Sequence, residues 1–195
     1  MDRKYRTILA DPPWPYSSSK AIIGNGGRGH YRLNKDRLPQ DLDFYYPTMS
    51  LEEIKAIPVE EMAKKNSHLY LWTTNSFMVE AHEVARAWGF KPKTILTWVK
   101  TTHDGSFRPS MSTGTWYRSS TEHCLFCVRG KLRLLGPTAP TSYLLPRLPH
   151  SVKPGRFYRL IEEQSPGPYL ELFARKPRAN WDRWGNALKN TVEME

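Results

Sequence analysis

The sequence predicts one α/β domain built on a largely parallel β-sheet. Three observations carry that expectation. Short apolar, β-branched or aromatic runs alternate along the chain with segments of helical period, the pattern of strand–helix units. The 195 residues are enough for one domain with a full core. No repeat and no linker suited to a boundary divides them, so residues 1–195 are expected to form a single unit.

Tyr5 to Ala10 reads as a first, buried strand, which stops at Asp11-Pro12-Pro13-Trp14. Pro15 to Tyr46 is polar, rich in Gly, Arg, Asn and Asp, and has neither helical nor strand period. Ser50-Leu51-Glu52-Glu53 is a capping box opening a short helix that Pro58 ends. A second short helix is expected over Val59 to Asn66, then a strand over His68 to Trp72. Phe77, Ala81, Val84 and Trp88 fall at i, i+4, i+7 and i+11, an amphipathic helix closed by Gly89. Thr94 to Val99 is a β-branched strand, Lys100 to Ser120 a polar loop and Glu122 to Val128 the next strand. Gly136 to His150 reads as a Pro-rich excursion. Pro154 suits the first turn of a helix with Phe157, Leu160, Ile161 and Gln164 on one face. Ser165-Pro166-Gly167-Pro168 stops that helix, and Tyr169 to Ala174 is the last expected strand. The long loops, about 15–46, 100–120 and 130–150, are expected to gather near one edge of the sheet.

The Asp11-Pro12-Pro13-Trp14 corner places a carboxylate at the carboxyl end of a strand, where open α/β sheets bind ligands. Proline fixes φ and donates no N–H, so the carbonyls of Asp11 and Pro12 are expected to point outward as acceptors. Trp14 would add an aromatic face. Acceptors for an amino group beside a stacking surface suit a flipped-out purine. The plainer alternative is a turn with a core tryptophan.

The net charge is +10 and hydrophobic residues make up 39%. Residues 91–160 hold twelve Lys/Arg against Asp104 and Glu122, an excess as large as that of the whole chain. Aromatic residues interleave with these bases, a pattern suited to a phosphate backbone and unstacked bases. No apolar run approaches a membrane span, and the first strand begins too early for a signal peptide. With only Cys124 and Cys127, a reducing, cytoplasmic or nucleoid setting is expected.

Two motifs mislead. Gly24-Asn25-Gly26-Gly27-Arg28-Gly29 satisfies a dinucleotide fingerprint but lies in a polar loop without a following helix. Cys124-Leu125-Phe126-Cys127 satisfies C-x-x-C, yet there is no second pair and the segment alternates like a strand. Lys153, just before a helix N-terminus, suits a carboxylate or phosphate; an ordinary exposed lysine is the alternative.

The order of these segments resembles the MT-A70 family of S-adenosylmethionine-dependent adenine-N6 methyltransferases. The resemblance runs from Ile8-Leu9-Ala10-Asp11-Pro12-Pro13-Trp14 to Trp181-x-x-x-Gly185-Asn186. Between them lie Tyr46-Pro47-Thr48-Met49-Ser50, Leu71-Trp72-Thr73-Thr74, Trp98-Val99-Lys100, Glu122-His123-Cys124, His150-Ser151-x-Lys153-Pro154 and Glu171-Leu172-Phe173-Ala174-Arg175. It implies a Rossmann-like class I methyltransferase fold, S-adenosylmethionine as cofactor, and no metal. It also implies catalytic roles for Asp11, Pro12, Pro13 and Trp14, the first two receiving the adenine amino group and Trp14 helping to hold the base. Asp11, Lys153, Phe173, Arg175 and Asn186 would bind the cofactor, with Lys153 on its carboxylate and Asn186 on the ribose. Tyr46 and Glu122 would line the pocket. The segment that cradles the cofactor adenine upstream of the corner in eukaryotic members has no counterpart here, so the chain resembles a minimal prokaryotic or phage-type member.

From the loops themselves, Arg108 and Arg118, with Lys20, Arg28, Arg32 and Lys35, are expected to serve nucleic acid. DNA is favoured over RNA, because the chain is short and lacks an added RNA module. A catalytically silent partner subunit and a nucleic-acid-binding module are the rival readings. A homodimer or a partner subunit stays open.

Overall fold

The computed structural model describes residues 3–15, 48–102, 104, 106, 117–149, 152–186 and 189–192. Seven strands form one sheet: β1 (Tyr5–Ala10), β2 (Ala63–Thr73), β3 (Lys91–Thr101), β4 (Thr121–Arg129), β5 (Ser142–Pro146), β6 (Tyr169–Leu172) and β7 (Trp181–Trp184). Their spatial order is β5-β3-β4-β2-β1-β6-β7. Only β4 runs against the others, pairing antiparallel with β2 and β3. The largely parallel sheet is therefore as expected.

Helices α1 (Leu51–Ala56), α2 (Val59–Met62), α3 (Met78–Ala87) and α4 (Gly155–Gln164) flank the sheet. Alternation along each strand splits the apolar residues into two cores. Ile8, Ala10, Leu69, Leu71 and Leu170 pack on the side of Ile54, Val59 and Val84, from α1, α2 and α3. Leu9, Tyr70, Trp72 and Phe126 pack on the side of Phe157, Leu160 and Ile161, from α4. Ile8-Leu9-Ala10 is a continuous apolar run because a parallel sheet covered on both faces has no wet side.

The helix starts obey the local chemistry. Ser50 caps α1, accepting from the Glu53 N–H, while Glu53 reaches back to the Ser50 N–H at 2.7 Å. Pro154 is the residue before α4, which opens at Gly155.

Several boundaries differ from expectation. The second helix ends at Met62, and Ala63 to Asn66 instead begins β2, where Tyr5 pairs with Ala63. The helix expected from Phe77 begins at Met78 after a 3₁₀ turn over Asn75–Phe77. The Pro-rich excursion contains β5, and the tail contains β7. Pro92 is tolerated within β3 because the register shifts between Pro92 and Thr94. The Gly-rich segment 24–29 lies outside the described residues.

Cys124 and Cys127 are buried and free. Three apart on a strand, they point to opposite faces, one into each core. Burial pushes the Cys127 thiol up to about 12 and Cys124 well up too, so neither is a poised thiolate.

Candidate active site

Strand β1 lies between β2 and β6, and the chain leaves it on one side and returns on the other. Such a reversal opens a crevice at the carboxyl ends of the strands. Asp11 follows β1 at that point. Because β4 is antiparallel, its first residues reach the same edge and bring Glu122 there. Lys153, just before Pro154 and α4, completes the group.

These residues form an alternating chain of charge. The Lys153 ammonium is 2.8 Å from Asp11 Oδ2 and 3.2 Å from Glu122 Oε2. Lys100 Nζ is 2.6 Å from Glu122 Oε1. Two rings form the floor: Lys153 Nζ lies 5.2 Å from the Trp72 ring centre and Lys100 Nζ 5.0 Å from that of Trp98. Burial pushes the Glu122 carboxyl up, but Lys153 and Lys100 outweigh it and hold the group below its ordinary range. Burial would lower Lys153, yet Asp11 and Glu122 outweigh it and raise the ammonium. The cluster sets two carboxylates against two amino groups, a balanced arrangement of formal charge.

The proline corner is more closed than its sequence suggests. The Pro12 carbonyl accepts the Trp14 N–H at 2.9 Å, and the Pro13 carbonyl accepts that of Met49 at 3.0 Å. One Pro12 lone pair is thus engaged within the turn. Trp14 is 3% exposed, stacks on Phe77 with centroids 5.6 Å apart, and donates its indole N–H to the Trp72 carbonyl at 3.1 Å. The expected open ring face is not met, because Phe77 and the core occupy it. Trp14 anchors the corner to the end of β2.

On the other side of β1, Phe173 follows β6 with φ 62, an unusual conformation for a bulky residue, and meets Trp184 edge-on at 5.5 Å. A Cβ on Gly185 would lie 2.8 Å from both the N and O of Ala174, so only glycine lets β7 close against this turn. Ala174 N–H donates to the Trp184 carbonyl at 3.1 Å, tying the two strand ends together. This gives the closing Gly185-Asn186 a physical reason and puts Asn186, exposed, at the same edge as Phe173. Arg175 follows two residues after Phe173. Beneath them, the Tyr158 hydroxyl donates to Glu171 at 2.7 Å and Arg178 lies 3.5 Å over the Tyr158 ring. Burial raises the Glu171 carboxyl, opposed only in part by Tyr158 and Arg178.

A model of the MT-A70 family matches residues 5–187. The chain belongs to the MT-A70 family. Its relatives include the Type II methyltransferase M.MunI of Mycoplasma sp, 31% identical over 98% of this chain and 82% of that protein. The N(6)-adenosine-methyltransferase MT-A70-like protein of Drosophila melanogaster is 27% identical over 95% of this chain and 27% of its own length. The human N(6)-adenosine-methyltransferase catalytic subunit METTL3 is 25% identical over 95% and 28%. The chain thus spans most of the first relative and about a quarter of the other two. The observed sheet with flanking helices agrees with the Rossmann-like methyltransferase fold that the resemblance implies.

In this MT-A70 domain, Asp11, Lys153 and Glu122 meet directly, and Phe173, Arg175 and Asn186 share their edge. Arg118 is exposed three residues before β4, also at that edge. Tyr46, Arg108, Lys20, Arg28, Arg32 and Lys35 lie outside the described residues. Lys100, Trp72, Trp98, Glu171 and Arg178 carry no site role in the reading of the sequence. Lys100 had one signal, a lysine two residues after a buried tryptophan on the same strand face. Among the described residues no cluster of His, Cys, Asp or Glu suits a metal, and no helix is long and apolar enough to cross a membrane.

Proposed function

We propose that this MT-A70 domain transfers a methyl group from S-adenosylmethionine to N6 of adenine in a polynucleotide, and that the polymer is DNA. The observation that carries this reading is the chain Asp11–Lys153–Glu122–Lys100 on its floor of tryptophan rings at the end of β1. An ammonium has three N–H donors, and Lys153 uses two of them on Asp11 and Glu122. The third suits the carboxylate of a methionine moiety, while the two carboxylates complement an amino group and a positive sulfur. The donor set therefore fits the cofactor. Phe173, Arg175 and Asn186 would lie along its adenosine part, as the family resemblance implies.

When bound, S-adenosylmethionine supplies a methyl group on a positively charged sulfur, so a neutral thioether leaves. The protein's task is to make adenine N6 reactive. Its lone pair is delocalised into the ring, and hydrogen bonds from its two N–H groups to the Asp11 carboxylate and to the second lone pair of the Pro12 carbonyl would favour a pyramidal nitrogen. Positioning for in-line attack then supplies most of the rate. The proton that N6 sheds passes to Asp11 or to water. Trp14, stacked on Phe77, would act by fixing this corner and would leave stacking on the base to other rings.

DNA is chosen over RNA because the relative matched along most of its length is named a Type II methyltransferase. The relatives named for adenosine, the ribonucleoside, share only about a quarter of theirs. The test is transfer of a labelled methyl group to duplex DNA, single-stranded DNA and RNA, followed by nucleoside analysis. N6-methyldeoxyadenosine from duplex DNA is the expected product. Label in RNA alone would change the polymer. Cofactor binding with no transfer to any of the three would leave a silent partner subunit.

A further inference from the structure

The edge of the sheet opposite the site is strongly basic, and no run of the sequence shows it as one surface. Lys4 and Arg6 stand at the start of β1, Lys64 and Lys65 at the start of β2, and Arg129 and Lys131 at the end of β4. Three adjacent strands, β4, β2 and β1, thus bring cations from three distant segments side by side. Lys91 and Lys93, exposed at the start of β3, continue the row on the next strand. The parallel pairing of Tyr5 with Ala63 and the antiparallel pairing of Ser67 with Arg129 fix this alignment.

The middle of the row is a cleft of about 540 Å³, whose one carboxylate, Glu60, sits 2.9 Å from Arg129. Arg129 also donates to the Glu60 carbonyl at 2.6 Å, so this pair is internally satisfied. Among the described residues, Lys4, Arg6, Lys64 and Lys65 have no carboxylate within ion-pair reach. Neighbouring strands lie about 4.8 Å apart, so four cations without an ion-pair partner among the described residues are concentrated on two adjacent strand ends. A cluster like this favours a polyanion with regularly spaced charge, whose condensed counterions it can release. From Lys4 to Asp11 the strand rises about 23 Å, and the sheet stands between them. Phosphates flanking a base at the carboxyl edge therefore cannot also reach the amino edge.

We propose that the amino edge of the sheet is a second polynucleotide-backbone site, which holds a segment of nucleic acid other than the one undergoing methylation. The inference rests on the polynucleotide reading of the substrate. Such a site would keep the protein on a long polymer while the carboxyl edge samples adenines elsewhere.

The test compares wild-type protein with a Lys4→Ala, Arg6→Ala, Lys64→Ala, Lys65→Ala variant, using mixed-sequence duplexes of 12 and 60 base pairs. Each lost phosphate contact should flatten the slope of log affinity against log salt by about 0.9, so up to about 3.6 for four. Wild-type protein should bind two 12-base-pair duplexes per chain and the variant one. Methyl transfer to a saturating 12-base-pair substrate should be unchanged. A variant with Arg at all four positions, which keeps the charges, should behave as wild type and so exclude a folding artefact. An unchanged slope and stoichiometry in a folded variant would overturn the site. Loss of binding to phosphatidylglycerol vesicles with DNA binding intact would assign the edge to a membrane surface and equally overturn it. If wild-type protein transfers no methyl group yet shows the two-duplex stoichiometry, the methyltransferase reading fails while this site stands.

Discussion

Asp11 does two jobs that a single substitution separates from nucleic-acid binding. Its carboxylate is the acceptor proposed for the adenine amino group and also the nearer partner of a largely buried Lys153. Asp11→Ala should slow methyl transfer by about 10²-fold or more, the scale for losing one positioned acid–base group, with affinity for duplex DNA kept. A wild-type rate in a variant that binds DNA normally would end that assignment. Lys100 offers a second handle. In Lys100→Met, Glu122 loses one of the two ammonium groups that hold its carboxyl down, while burial still pushes it up. The acid limb of the pH profile of single-turnover transfer should then move to higher pH; a fixed limb would mean that the charge on Glu122 is not needed. Trp14→Phe removes the indole donor to the buried Trp72 carbonyl and should destabilise the fold by about 1–3 kcal/mol, read by urea unfolding. At this scale the sequence was legible where punctuation was sharp. Asp11 follows a strand and precedes two prolines, and Lys153 precedes Pro154. Lys100, Trp72 and Trp98 sit inside strands, and their importance depends on which strand ends meet at one edge, which no single segment states.

The elements found from sequence were those with a strong period, α3, α4 and the central strands. The elements missed were β5 and β7. Each has five or fewer residues, each lies at one end of the strand order, and Pro146 and Asp182 dilute the pattern. They form because a neighbour offers a ladder, β3 to β5 and β6 to β7, and that is a tertiary cause. The start of β2 was misread for a related reason: Lys64, Lys65 and Asn66 have no apolar alternation, yet the preceding Ala63 pairs with Tyr5. The α4-side core also contains a titratable device. His68 Nε2 faces the Leu132 carbonyl at 3.2 Å, which can only accept, so the ring proton belongs there. Nδ1 then accepts the Ser165 hydroxyl at 2.8 Å, and Ser165 accepts the Tyr70 hydroxyl at 2.8 Å. Burial holds His68 below its ordinary value of 6.5, partly countered by Leu132. The unfolded chain therefore binds the proton more readily, so the stability from neutral His68 is complete above about pH 6.5 and declines as pH falls below it. The urea midpoint should drop between pH 7 and pH 5, and less so in His68→Gln; equal drops in the two proteins would remove His68 from the account.

Across the whole molecule, the basic stretch 91–160 does not form the single surface its sequence suggests. Strand β3 carries it from the amino edge to the carboxyl edge and β4 carries it back, so Lys100 and Lys153 lie by the site while Lys91, Lys93, Arg129 and Lys131 lie opposite. The folded charge is sorted by edge, and that changes which residues could touch a nucleic acid held at the proposed site. Arg118, just before β4, lies at the same edge as the proposed site; Arg108, outside the described residues, is grouped with it from the sequence alone. Neutralising both should flatten the salt dependence of nucleic-acid affinity by about 1.8 in slope, because two fewer phosphates are contacted. The effect should appear on a 12-base-pair duplex as well as on a long one and should raise KM for the duplex. Affinity for S-adenosylmethionine, read by calorimetric titration, should barely change, since that pocket is assigned to Asp11, Lys153, Phe173, Arg175 and Asn186. An unchanged slope together with a large loss of cofactor binding would reverse the two assignments and put the cofactor under the 100–120 connection.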